Sequence, residues 1–161
     1  MARPKILLKR IFIAGIVVFL VAQAFRPERT NPVSDPSHSI LNDPVIPPPM
    51  LDRLQRTCFD CHSNGTHWPW YSLVTPVNFL LTRDVNGGRS HMNMSEWMTL
   101  KPGKRASLLE RISDEVTDGT MPLAPYAMMH ADAQLTPADR KALADWASAA
   151  QDTILAQLEQ E

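Results

Sequence analysis

The sequence predicts an all-α protein with one folded domain, and three observations carry that reading. Apolar residues recur at helical spacing, most clearly Leu108, Leu109, Ile112 and Val116. Helix-opening and helix-closing residues bracket such stripes: Thr75-Pro76 and Thr136-Pro137 each open one, and Gly119 closes another. No stretch alternates apolar and polar residues for long enough to make a strand, and the chain has no internal repeat.

The first element is an apolar helix. Residues Met1 to Arg10 carry Arg3, Lys5, Lys9 and Arg10 and no acid, and an uncharged run from Ile11 to Ala22 follows. A basic stretch before an apolar one is the pattern of an export signal, with the basic end left on the cytoplasmic side. Residues 1–25 therefore read as a signal anchor or a signal peptide. The apolar run, broken only by Gln23, is short of the roughly 20 residues that a spanning helix needs. Ile6, Leu7 and Leu8 could lengthen it if Lys9 and Arg10 snorkel. Ala22-Gln23-Ala24 is an acceptable cleavage site. The expectation is a retained inner-membrane anchor over residues 6–25, with the remainder in a periplasm-like space.

Residues 26–47 read as a proline-rich linker. Together with its immediate edge it holds Pro27, Pro32, Pro36, Pro44, Pro47, Pro48 and Pro49, half of the chain's 14 prolines. Such a run excludes a helix and favours extended segments. It either spaces the folded part from the membrane or wraps the domain surface.

Residues 48–161 form the expected domain. Met50 to Cys58 is a short amphipathic helix with Leu51, Leu54 and Cys58 on one face. Thr75 as N-cap and Pro76 as first residue open a helix to Val85, which Asn86-Gly87-Gly88 should end. Ser95-Glu96-Trp97 suggests a further helix start. Lys104 to Asp118 is amphipathic and stops at Gly119. The last helix opens at Thr136, Pro137 and Asp139 and buries Leu143, Trp146, Ala147, Ile154 and Leu158.

Between the first two helices of this domain lies Cys58-Phe59-Asp60-Cys61-His62, which contains both cysteines of the chain. A Cys-x-x-Cys-His run is the attachment pattern of haem c. Two closely spaced thiols can add across the two vinyl groups of haem, and the next residue is then held beneath the iron. His62 is the expected proximal ligand. A thioredoxin-like pair would need a βαβ context that is absent. A zinc site would need four ligands, and His67, His91 and His130 lack paired spacing. A Cys58–Cys61 disulfide would close only a tiny loop.

A second axial ligand suits a cytochrome, and methionine sulfur raises the potential. Of eight methionines, Met1 and Met50 are excluded by position, which leaves Met92, Met94, Met98, Met121, Met128 and Met129. Met121 is the favoured one. It follows a helix stop in Asp118-Gly119-Thr120-Met121-Pro122, on a loop that can swing over a haem face and that the proline stiffens. His91 and His130 are its rivals, with His67 behind them. The other methionines read as core filler.

Several further segments accompany the attachment motif: Ser63-Asn64, Thr66-His67-Trp68-Pro69-Trp70-Tyr71, Asp84-Val85 with Gly88-Arg89, Asn93-Met94-Ser95-Glu96-Trp97, Gly119-Thr120-Met121-Pro122 with Tyr126, and Leu143-Ala144-Asp145-Trp146. Together they make the chain resemble the bacterial haem-binding domain family of small exported c-type cytochromes, over about residues 44 to 147. Arg26-Pro27 and Asn31-Pro32 also look like that family's exit from its N-terminal segment. The resemblance implies a cytochrome c-like helical domain around one covalent haem c on Cys58 and Cys61, with His62 and Met121 as iron ligands. Met94 stands where the family pattern often has an aromatic.

Trp70 and Tyr71 are candidate haem contacts, since each packs a large ring and keeps a donor at its tip. Arg89 reads as a solvated surface residue, with a propionate as its other possible partner. The chain carries 16 basic and 17 acidic residues. Four basic residues precede residue 11, so the exported part holds 12 against 17, a net −5. That balance argues against nucleic acid as a partner and is compatible with a basic redox partner, which it does not identify. The expected role is one-electron transfer, not enzyme catalysis. A haem-based sensor, or a peroxidase-like enzyme with an open distal site, is the alternative. No Ser-His-Asp set, phosphate loop or carboxylate pair points to another enzyme class.

Overall fold

The computed structural model describes residues 4–160. Met1, Arg3 and Glu161, which enter the readings above, lie outside the described residues. The described part is all-helical, with seven α-helices: α1 Pro4–Ala22, α2 Pro48–Thr57, α3 Phe59–His62, α4 Val77–His91, α5 Pro102–Thr117, α6 Ala124–Met129 and α7 Pro137–Leu158. Short 3-10 turns connect them.

The core is built by α5 and α7, which pack along each other. Leu108, Leu109, Ile112 and Val116 from α5 meet Leu143, Ala147 and Ile154 from α7. Each large apolar side chain so buried contributes about 1.5–3 kcal/mol. Ser113 Oγ reaches the Ala144 carbonyl at 3.2 Å and Ser148 Oγ at 2.9 Å, which fixes the register of the two helices. Trp146 is half-buried, and Leu158, contrary to expectation, is exposed at the end of α7. The N-terminus of α7 matches the sequence pattern: Thr136 and Asp139 form a reciprocal capping box. Gly119 closes α5 with φ +75°, a conformation glycine adopts at little cost.

Two expectations fail in α4. The helix starts one residue later than anticipated, with Pro76 as N-cap. It also runs through Asn86-Gly87-Gly88 to His91 instead of ending there. The Ser95 region is a 3-10 helix, Met94–Thr99, capped by the Asn93 side chain.

The proline-rich segment wraps the domain. Ile40 and Ile46 are buried in the same core as Leu54 and Trp97, and the buried Asp43 carboxylate accepts from Trp97 Nε1 at 2.9 Å. Its prolines serve this path by opening short turns, as Pro36 does in 3-10 turn Pro36–His38.

The spanning anchor is not borne out: among the described residues no helix is long and apolar enough to cross a membrane. Lys5, Lys9 and Arg10 fall inside α1, and its uncharged part runs only from Ile11 to Ala22. Gln23, the break in the apolar run, ties the exit of α1 to the domain. Its amide donates to Thr75 O at 3.2 Å and accepts from Thr75 N at 2.9 Å.

Candidate functional site

The attachment motif folds as the end of α2 and the single turn α3. Cys58 terminates α2, and the His62 N–H donates to Cys58 O at 2.9 Å, so Cys58, Cys61 and His62 project from one tight turn. All three line a cavity of about 260 Å³. Apolar side chains make most of the remaining wall, among them Leu108, Ile112, Val116, Leu123 and Leu143.

Both cysteines are free thiols. Burial pushes the Cys58 thiol up, and it pushes Cys61 to about 11 with help from the Asp60 charge. Thiols held protonated are poor nucleophilic redox centres, which disfavours the thioredoxin-like reading. Among the described residues no three or more His, Cys, Asp or Glu side chains cluster as a metal site.

His62 is oriented by the main chain. Its Nδ1 lies 3.2 Å from the carbonyl of Met92. With the proton on Nδ1, that nitrogen donates to the carbonyl and Nε2 keeps its lone pair for a metal. Burial lowers the His62 pKa despite this bond, which also favours the neutral, ligating form.

The rival ligands lie in different places. The Met92 carbonyl is the partner of His62 Nδ1, and both His91 and Met92 line the cavity. Met121 lines the cavity from the loop between α5 and α6. The remaining methionines fall elsewhere: Met94 is wholly buried in the core, and Met98, Met128 and Met129 are exposed. His130 is not on the cavity wall. It stacks on Tyr126 with ring centroids 4.1 Å apart and lies 3.3 Å from the Tyr71 hydroxyl. His67 is exposed.

Trp70 and Tyr71 lie outside the cavity lining. Trp70 is 74% exposed, and Tyr71 reaches His130 instead. The ring that does line the cavity is Tyr126, whose hydroxyl donates to Asp60 Oδ2 at 2.8 Å. Asp60, inside the motif, also takes the His67 N–H at 2.9 Å on Oδ1 and the Thr66 hydroxyl at 2.7 Å on its main-chain oxygen. It thus joins the attachment turn to the loop after it and to α6. Its spacing in the motif marks its location but not this role.

Arg89 is neither a free surface residue nor a cavity residue. Its guanidinium donates to Ser63 O at 2.7 Å, Thr30 O at 2.7 Å, Thr66 Oγ1 at 2.7 Å and Asn31 Oδ1 at 3.1 Å. It clamps the wrapping arm to the loop after His62. The exposed cation on the cavity rim is Arg111, which the helical pattern of α5 marks only as a surface charge.

The donor set fits haem: two thiols at attachment spacing, an imidazole with one nitrogen already engaged, a thioether, and an apolar wall. A model of the haem-binding domain family matches residues 17–149. No curated protein and no solved structure matches the chain.

Proposed function

Because this chain belongs to the haem-binding domain family, with haem as its cofactor, we propose that it is a c-type cytochrome-like electron carrier of the periplasm. One observation carries the reading: Cys58, Cys61 and His62, from one short segment, line the same apolar cavity as Met121, which is distant in the chain. Cys58 and Cys61 would each hold haem through a thioether, the S–H and the vinyl π bond giving way to one C–S and one C–H bond. His62 binds the iron through Nε2, with Nδ1–H held by Met92 O. Met121, on the same cavity, would supply a second ligand. Bound haem would contribute a one-electron iron couple, which the apolar wall would shield from water.

Export follows from the same proposal, since haem c is assembled outside the cytoplasm. The basic residues before Ile11 and the uncharged run to Ala22 act as the export signal.

A peroxidase-like enzyme would need acid–base groups over an open iron position. Of the two histidines that could supply them, His130 is committed to Tyr71 and Tyr126 away from the cavity wall, while His91 lines the cavity. A ligand-binding sensor is separated by experiment. Visible spectra of the purified oxidised and reduced protein, with and without carbon monoxide, test the reading. A six-coordinate His/Met spectrum with a weak charge-transfer band at the red end, and slow carbon monoxide binding, is expected. Rapid binding by the wild-type ferrous protein would favour the sensor.

A further inference from the structure

The loop that carries Met121 is not held by its own sequence alone. The Met121 N–H donates to Glu115 O at 3.1 Å, which folds the loop back on the last turn of α5. Its carbonyl accepts from Arg140 Nη1 at 2.8 Å. The same nitrogen lies 3.2 Å from Val116 O, at the end of α5, which also accepts the Gly119 N–H at 3.2 Å. One guanidinium therefore spans the end of α5 and the main chain of Met121.

Arg140 itself stands on a fixed base. It lies in the first turn of α7, next to Asp139, whose carboxylate completes the capping box with Thr136. Asp139 Oδ1 accepts from Arg53 Nη2 at 2.6 Å, and Arg53 belongs to α2, the helix that ends at Cys58. Two adjacent residues of α7 thus connect the helix bearing the first attachment cysteine to the main chain of Met121.

We infer that Arg140 is the positioning residue of the sixth ligand, holding the Met121 loop against the cavity so that its sulfur stays on the iron. The inference rests on Met121 being that ligand. A methionine–iron bond is weak enough that the loop's own equilibrium decides how long it stays closed. A charge-assisted hydrogen bond to the ligand's own carbonyl biases that equilibrium directly.

The test uses the full-length holoprotein with Arg140→Ala, Arg140→Lys and Met121→Ala. Loss of a charge-assisted hydrogen bond should speed carbon monoxide binding to the ferrous Arg140→Ala protein by about tenfold and weaken its charge-transfer band. Amide exchange in residues 119–123 should quicken while exchange in the centres of α5 and α7 stays unchanged. Arg140→Lys, which keeps one charged donor, should recover part of both effects and keeps the test open if Arg140→Ala folds poorly. If Met121→Ala abolishes the band but neither Arg140 variant alters carbon monoxide binding or exchange, the positioning role is wrong and the ligand reading stands. If Met121→Ala leaves the band intact, the ligand reading falls and takes this inference with it.

Discussion

Gly88 of α4 lies directly against the main chain of Cys61. A Cβ built on Gly88 would overlap the Cys61 carbonyl oxygen and stand 2.9 Å from its carbonyl carbon. The helix backbone and the turn at Cys61 leave no room for a side chain, and only glycine permits the approach. Gly87, its neighbour, has open space around its Cα.

That contrast makes a paired prediction. Gly87→Ala should stabilise the protein by about 0.5–1 kcal/mol, the usual gain for replacing a helical glycine. Gly88→Ala should instead destabilise it by about 1–3 kcal/mol, because the clash is with backbone and must displace α3. Denaturant unfolding of the two variants measures both signs.

Removing the Arg89 guanidinium should cost about 2 kcal/mol, since four acceptors from the wrapping arm and the loop after His62 lose a charged donor. Arg89→Lys should rescue little, because one ammonium cannot replace a planar fork of donors. Thermal unfolding of Arg89→Ala and Arg89→Lys gives the comparison.

The arm and the core meet at Trp97 and Asp43. Trp97→Phe would leave the buried Asp43 carboxylate without its nearest donor, while Arg105 stays 3.5 Å away. A loss of about 1–3 kcal/mol is expected by equilibrium unfolding. Trp97→Phe with Asp43→Asn should lose less than the two single changes added, since the partners are shared.

Acid sensitivity should trace in part to Asp139. Hydrogen bonds from Thr136, with the Arg53 charge adding to them, lower its pKa below the ordinary 3.8. A depressed carboxyl pKa gives stability that is present above 3.8 and lost as the pH falls through the lower folded value. Asp139→Asn should therefore melt below wild type at pH 6, and the gap should narrow as the pH falls below 3.8. A gap that is constant with pH would show that the side chain acts through packing alone.

How much of this could be read beforehand depends on the range of the interaction. The turn at Cys58-Phe59-Asp60-Cys61-His62, the stop at Gly119 and the cap at Thr136 are local chemistry, and the structure has a tight turn, a helix end and a cap at those places. Gly87-Gly88 carries the same local signal as a helix stop, yet Gly88 serves the approach of α4 to Cys61, a partner 27 positions away in the chain. Arg89, Asp60 and Arg140 act on main-chain oxygens or on partners distant in sequence, so no neighbouring residue announces them. Trp70 and Tyr71 resemble cofactor contacts by composition, but the surface and His130 claim them. The prolines of residues 26–47 say that the segment is extended. They do not say that Ile40 and Ile46 will find the core.

The proposed electron carrier depends first on covalent attachment of haem to Cys58 and Cys61. Full-length protein matured in a host able to attach haem c should be extracted with acid acetone, and the polypeptide's intact mass then measured under denaturing conditions. The account predicts a mass equal to the chain plus one haem, no haem in the acetone, and loss of that added mass when both cysteines are changed to alanine. A polypeptide at its bare mass, with all the haem in the acetone, would contradict it.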